Sequence, residues 1–249
     1  MGKRISAIII TIFVGTLLGC TSDVPCCDES EIKGAILPHH LFVDYLIEDF
    51  YEELSNENFD QIILLSPNHF GYGHANIHTT DYDEREHGIT VHLDYISQYF
   101  PDAEVLPATF KLNTSQRELD AFVQEILTSD LSNTLVLASL DFTHLESEKI
   151  ALQNDERMIA WLEILGKADT NTSLEYIHEL ASTINPNPLA DAVSVDSPEA
   201  LYVLTQLMLS QEATHFELWQ RTSSASLGHL ENPADNTSHI FGTFTVAPA

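Results

Sequence analysis

Residues 61–69 read QIILLSPNH, and this stretch decides the fold class. Its apolar centre runs without a polar interruption, which predicts a strand buried on both faces. Similar runs occupy residues 34–38 and 134–139, and segments with helical spacing separate them along the chain. Strands that alternate with helices pack as layers around one sheet. We therefore predict a single-domain α/β sandwich with a central, largely parallel or mixed sheet.

Further elements follow from periodicity and from capping residues. Ser115 and Glu118 form a capping-box pattern, and Pro198 suits the first turn of a helix capped by Asp196 or Ser197. Helices are predicted at 43–54, 89–100, about 115–128, about 148–167, 173–181 and 198–209, and strands at 104–110, 215–222 and 239–246. Residues 68–85, rich in Gly, His and Asp, are predicted to form a long loop.

Three predicted strands are each followed by a turn and a histidine, namely His39, His69 and His144. In an open α/β sheet the carboxyl ends of the strands share one edge, where ligand sites form. Imidazole is the commonest neutral metal ligand, so three histidines at that edge indicate a metal site. Neutral imidazoles do not compensate the charge of an ion, and Asp141 and Asp196 are the candidate oxygen donors.

The charge balance excludes one class of partner. The chain has 249 residues and a formal net charge of −28, with ten Lys and Arg against 38 Asp and Glu. Binding to a phosphate backbone requires clustered cations, so we expect no nucleic-acid partner. We interpret the acidity as a solvated surface. No cysteine follows Cys27, so the folded part has neither a disulfide framework nor a cysteine-based zinc site.

The N-terminal residues predict export. A basic pair is followed by a short apolar run that ends in LLGC at residues 17–20. This run is too short for a permanent membrane span and is typical of a signal peptide, and its ending resembles a lipobox. We predict a lipoprotein signal peptide at 1–19, lipidation of Cys20, a tether at 20–32 and a folded domain at 33–249. The domain is then anchored to a bacterial membrane and faces the periplasm or the cell exterior.

Four short blocks carry a family resemblance. They are Pro38-His39, Ser66-Pro67-Asn68-His69, Glu86-His87-Gly88-Ile89-x-x-His92-Leu93 and Ser139-Leu140-Asp141-Phe142-Thr143-His144. In order and approximate spacing they resemble the MEMO family, which is similar to protein B of the AmmeMemoRadiSam system. The resemblance covers nearly all of residues 33–246. It implies the fold of class III extradiol ring-cleaving dioxygenases.

The resemblance also implies roles for individual residues. His39 and His69 are expected to bind a metal. His144, His87 and His92 are expected to line the pocket, with His144 as an acid or base. Asp141 and Glu86 are expected to contact the metal-binding histidines and to orient their rings.

The third ligand departs from the family pattern. Many MEMO-like proteins have a Cys-Gly pair where this chain has Val195-Asp196-Ser197-Pro198. Asp196 in that position gives two histidines and a carboxylate, the ligand set of many non-haem iron(II) sites. Glu199 is the alternative. A second departure is the short stretch between His69 and Glu86.

These observations leave three functions open. The first is a metal-dependent, dioxygenase-like oxidoreductase that uses a divalent ion, with iron expected and zinc or copper as alternatives. The second is a metal-binding or redox-active module without small-molecule turnover. The third is a zinc hydrolase. Covalent hydrolysis is not expected, because the chain has no Gly-x-Ser-x-Gly elbow.

Overall fold

A computed structural model describes residues 31–184, 193–228 and 235–246. Its centre is a seven-stranded sheet with the order β3-β4-β2-β5-β1-β7-β6. The strands are β1 (Ile32–Leu37), β2 (Gln61–Pro67), β3 (Ile77–His78), β4 (Glu104–Phe110), β5 (Thr134–Ser139), β6 (His215–Ser223) and β7 (Ser238–Thr245). The four central strands β4, β2, β5 and β1 are parallel, and the outer strands pair antiparallel. The prediction of a mixed sheet is confirmed.

Helices cover both faces of this sheet. They are α1 (Asp44–Leu54), preceded by a 3-10 turn at Leu41–Val43, α2 (His87–Tyr99), α3 (Gln116–Ile126), α4 (Glu148–Leu162), α5 (Leu174–Ala181) and α6 (Pro198–Ser210). Alternate residues of each strand pack against opposite layers, as strand geometry requires. Ile63 and Val136 contact the layer of α3 to α6, whereas Ile62 and Leu135 contact the layer of α1 and α2. The fold is therefore a three-layer α/β/α sandwich.

Three details differ from the expectations. The predicted loop after β2 contains the two-residue strand β3, which pairs with the end of β4. The helix predicted to reach residue 167 ends at Leu162 and continues as turns. The cap of α6 is Ser197, whose hydroxyl accepts from the Ala200 N–H, so a cap at Asp196 is wrong. Asp196 lies one residue before the cap, and its carboxylate does not cap the helix.

The predicted capping box of α3 is confirmed. The Ser115 hydroxyl accepts from the Glu118 N–H, and the Glu118 carboxylate accepts from the Ser115 N–H. We expect Ser115→Ala to lower the free energy of unfolding by about 1 kcal/mol, because it removes an N-cap acceptor. The matched control is Ser147→Ala, since Ser147 caps α4 without a side-chain hydrogen bond. Urea denaturation followed by circular dichroism measures both, and equal losses in the two variants would contradict this expectation.

The predicted signal peptide, Cys20 and most of the predicted tether lie outside the described residues. In the part of the chain that is described, no helix has the length and hydrophobicity needed to cross a bilayer.

Candidate metal centre

The topology places the predicted histidines at one edge of the sheet. His39 follows β1, His69 follows β2 and His144 follows β5, and these three strands are parallel neighbours in the order β2-β5-β1. Their carboxyl ends therefore share one edge, as expected for a ligand site in an α/β sheet. Asp141 follows β5 by two residues, and Asp196 precedes α6 at the same edge.

Asp196 connects the first two histidines. Its Oδ2 lies 3.2 Å from His39 Nε2 and 3.7 Å from His69 Nε2. The backbone N–H of Asp196 donates to the Asp141 carbonyl at 3.1 Å, and the Asp141 N–H donates to Asp196 Oδ2 at 3.3 Å. These bonds fix the carboxylate between the two imidazoles. Its second oxygen, Oδ1, is buried and has no hydrogen-bond partner among the described residues.

Glu86 orients His69 through contacts with its backbone and its ring. Its carboxylate accepts from the His69 backbone N–H at 2.8 Å and contacts His69 Nδ1 at 2.6 Å. Glu86 is buried, whereas the His69 side chain is 29% exposed. Burial alone lowers the pKa of His69, but the contacts with Asp196 and Glu86 outweigh it and raise this pKa to about 10. Without a metal, His69 is therefore protonated at neutral pH.

His39 is held more deeply. Its Nδ1 lies 3.0 Å from the Ser139 hydroxyl, and its backbone N–H donates to Asp141 Oδ1 at 3.3 Å. Burial disfavours its charge, yet the carboxylates of Asp141 and Asp196 outweigh burial and raise its pKa. Gly88, at the start of α2, leaves room for Ser66, since a Cβ there would overlap the Ser66 hydroxyl.

The other predicted pocket residues occupy three different positions. His87 stacks on His69 with ring centroids 4.6 Å apart, and its ligand atoms group with those of His39 and His69 within 4.8 Å. His144 lies beyond Asp141, and its Nδ1 is buried without a partner among the described residues. His92 is fully buried, and its Nδ1 lies 3.0 Å from the Tyr51 hydroxyl. His87 and His144 thus adjoin the cluster, while His92 lies in the core.

Glu199, the alternative third ligand, lies apart from this cluster. Its carboxylate accepts from the Asn113 N–H at 2.8 Å, and His178 Nε2 lies 3.6 Å away. The geometry therefore places Asp196, and not Glu199, beside the two histidines.

The sequence predictions missed Ser139 and His239. Ser139 ends β5 and contacts His39, and His239 Nδ1 lies 3.4 Å from Asp141 Oδ1. His239 lies in β7, which pairs with β1. Backbone bonds from the Phe142 N–H to the Ser238 carbonyl and from the Ser238 N–H to the Thr143 carbonyl bring it to Asp141, so no local sequence signal could have shown it. Ser139 could have been predicted from the sequence, since it ends the predicted strand before Asp141.

The donor set fits a divalent ion. With metal–ligand bonds of about 2.1 Å, neighbouring ligand atoms lie about 3.0–3.4 Å apart. The separations of 3.2 and 3.7 Å around Asp196 Oδ2 are close to this range. Asp141 joins the same group, because ligand atoms of His39, Asp141 and Asp196 lie within 4.8 Å of one another. A bound ion would replace the proton that the carboxylates hold on His69.

Comparisons with known proteins point to one family. The profile of the family described as "Memo-like protein" matches residues 74–190. A "MEMO1 family protein PAE0818" from Pyrobaculum aerophilum is 23% identical over 175 residues, which are 55% of this chain and 62% of that protein. A "MEMO1 family protein" from Methanosarcina acetivorans is 24% identical over 165 residues, 53% of this chain and 61% of that protein. These matches support membership of the MEMO family, with the family model covering residues 74–190.

These matches cover only parts of the proteins compared. The chain spans about three fifths of the length of each curated relative. The matched family segment contains Glu86, His87, His92, Asp141 and His144, whereas His39, His69 and Asp196 lie outside it. The crystal structure of "uncharacterized protein JW3007" from Escherichia coli K12 superposes with a TM-score of 0.50 and 12% identity, over 85% of this chain and 99% of that one. This likeness concerns the fold.

Glu86 offers a direct test of how His69 is oriented. We expect Glu86→Gln to weaken the binding of a divalent ion about 10- to 100-fold, the usual cost of losing a partner behind a metal-binding histidine. The exposed neighbour variant Glu84→Gln removes the same charge without touching His69 and should leave affinity unchanged. Competition against a chelator of known affinity measures both constants. Equal affinities in the two variants would show that Glu86 does not support the site.

Proposed function

We propose that this MEMO protein is a metal-dependent oxidoreductase with an extradiol-dioxygenase-like centre, formed by His39, His69 and Asp196. The observation that carries the proposal is the convergence of two imidazole Nε2 atoms on one carboxylate oxygen, at 3.2 and 3.7 Å. Two histidines and one carboxylate leave positions open on an iron(II) ion, which then supplies redox chemistry with dioxygen. Iron is the expected ion for this reason.

The surrounding residues suit binding of a small polar substrate. The His69 ring is partly exposed and His87 stacks on it, so a substrate would enter from this side. Burial lowers the pKa of His144, so its ring is neutral near pH 7. A neutral imidazole beside the centre would accept a proton from a substrate hydroxyl, which is the role of a general base.

Ion binding by this site is expected to strengthen with pH. The carboxylates raise the pKa of His69 to about 10, so this ring carries a proton at pH 7, and they also raise the pKa of His39. An ion must displace the protons held on its ligands, and apparent affinity should rise about tenfold per pH unit for each proton released. Isothermal titration with Zn²⁺ in buffers of different ionisation enthalpy, between pH 6 and 8, counts the protons. Binding without proton release would contradict the assignment of His39 and His69 as ligands.

Oxygen uptake tests the proposed reaction. Anaerobically reduced, iron-loaded protein is mixed with catechol-type diols, and dioxygen consumption is followed with an electrode. We expect uptake that ends when the diol is consumed, and a loss of about 10²–10⁴-fold in His144→Ala with iron retained. Iron binding without uptake on any diol would overturn the oxidoreductase and favour a metal-binding module. Zinc in protein purified from its own host, with ester or amide hydrolysis, would favour the hydrolase.

We also propose that the protein is exported and anchored through Cys20. The support is the basic pair, apolar run and LLGC ending at residues 1–20. Metabolic labelling with a palmitate analogue tests it, with Cys20→Ala as the variant that should lose label and Cys26→Ala as the matched control. Label that persists in Cys20→Ala would overturn the anchor.

A further inference from the structure

A second group of imidazoles lies on the far side of Asp141 from His39. It contains His40, which follows His39, and His239, which comes from β7. Their ring centroids are 5.2 Å apart with an interplanar angle of 33°, and His239 Nδ1 lies 3.4 Å from Asp141 Oδ1. Neither histidine belongs to the proposed catalytic centre.

Two buried ring nitrogens of this group have no protein partner within the described residues. His239 is fully buried, and while its Nδ1 faces Asp141, its Nε2 has no hydrogen bond; His40 Nδ1 is also buried without one. A buried polar group without a partner costs about 1–3 kcal/mol. The next two residues of β7, Ile240 and Phe241, are fully buried hydrophobics. An apolar side chain at 239 would avoid the cost, so a ligand that uses these nitrogens explains the histidine.

Asp141 stands between the two groups. Its Oδ2 lies 3.6 Å from His39 Nε2, while its Oδ1 faces His239. A carboxylate with one oxygen toward each of two sites has the arrangement of a bridging ligand in two-metal centres, whose ions lie about 3.5–4 Å apart.

The local charge also favours a second cation. Asp141, Asp196 and Glu86 form ion pairs only with histidines in the described ranges, so three carboxylates share this region without a Lys or Arg partner. One divalent ion leaves one of these three negative charges uncompensated.

We propose that His40, His239 and Asp141 form a second transition-metal site, so that the centre holds two divalent ions bridged by Asp141. The bridging role rests on the first site that the proposed function requires, whereas the ligands His40 and His239 are independent of it. Among the described residues, the groups whose ligand atoms lie within 4.8 Å of one another include neither His40 nor His239. His40 is half-buried and adjoins the exposed Leu41, so its side chain has room to close on an ion. We therefore expect the second ion to bind more weakly than the first.

Cobalt(II) titration of the full, metal-stripped chain tests this site. Bound Co²⁺ is counted by equilibrium dialysis with elemental analysis, and its ligand field is followed by visible absorption. We expect two ions per wild-type chain and one in His40→Ala and in His239→Gln. His69→Ala should lose the tighter ion and retain the weaker one. The exposed His74→Ala is the matched control and should bind two.

The outcomes separate this proposal from the proposed function. Saturation at one ion that is lost in His69→Ala but kept in His40→Ala would overturn the second site and leave the first. Saturation at one ion that is lost in His40→Ala but kept in His69→Ala would overturn the first site and support the second. Two ions in both His40→Ala and His239→Gln would also overturn the second site. If His239→Gln fails to fold by circular dichroism, the half-buried His40 decides the question.

Discussion

Asp196→Ala is expected to weaken binding of the tighter divalent ion by more than about 100-fold, because loss of a direct ligand costs more than loss of a supporting residue. The carboxylate contacts both His39 Nε2 and His69 Nε2, and no other described carboxylate contacts both. Removing it leaves two imidazoles without the charge that compensates an ion. Chelator competition with Zn²⁺ gives the change in affinity.

The matched control is Glu199→Gln. Glu199 is the other acid near the start of α6, and burial raises its pKa, so glutamine preserves the shape of a group that favours its neutral form. Its hydrogen bond from Asn113 survives this change, and ion affinity should stay within a few fold of wild type. A larger loss in Glu199→Gln than in Asp196→Ala would reverse the assignment of the third ligand.

A second measurement on Asp196→Ala needs no metal. Asp196 is among the groups that raise the pKa of His69 to about 10, so its removal should shift this pKa downward. Titration of the His69 ring by NMR in the metal-free protein reads this shift, with Glu199→Gln as the unshifted control. A His69 pKa that does not move would show that the carboxylate does not contact this ring in solution.

Much of the fold could be predicted from the sequence, because the strongest sequence signals are local. The strands at 61–67, 104–110 and 134–139 have the predicted bounds, since each is a short apolar run between turn residues. Pro107 inside β4 does not break the sheet, because β3 pairs only with Thr109 and Phe110 and leaves the Pro107 edge open. The two-residue β3 carries no periodicity, and nothing local in residues 68–85 predicts it.

The site was partly predictable for a topological reason. His39, His69 and His144 follow adjacent parallel strands, so the rule that strand ends share an edge brings them together. His239 reaches Asp141 because Ser238 exchanges backbone hydrogen bonds with Phe142 and Thr143, contacts between distant segments that residue spacing does not encode. Residue spacing could not decide whether Asp196 or Glu199 is the third ligand. That decision required the directions of the two carboxylates, which the structure gives.

Behind the centre, a buried ion pair joins the segments that carry His144 and His239. The Asp155 carboxylate is fully buried in α4, and Arg221 Nε from β6 donates to it at 2.7 Å. Asp155 also accepts from the hydroxyls of Thr143 and Ser238, the residues that precede His144 and His239. Arg221 therefore neutralises a carboxylate on which both histidine-bearing segments depend.

Arg221→Met is expected to lower the free energy of unfolding by about 3–5 kcal/mol, because it leaves the Asp155 charge buried without its partner. Burial already raises the pKa of Asp155 in spite of Arg221, and losing the arginine raises it further. A carboxyl group with a raised folded-state pKa binds protons more readily when folded than when unfolded. Its contribution to stability is thus present at low pH and is lost as pH rises through the folded pKa.

The difference in stability between wild type and Arg221→Met should therefore be larger at pH 8 than at pH 5, as measured by urea denaturation. Arg157→Met is the matched control, since Arg157 donates to the carbonyls of Leu180 and Ser182 and not to a buried carboxylate. Arg221→Met/Asp155→Asn should recover part of the loss, because asparagine removes the buried charge and keeps an acceptor for Thr143 or Ser238. A pH-independent loss without such recovery would mean that Arg221 acts through packing and not by neutralising Asp155.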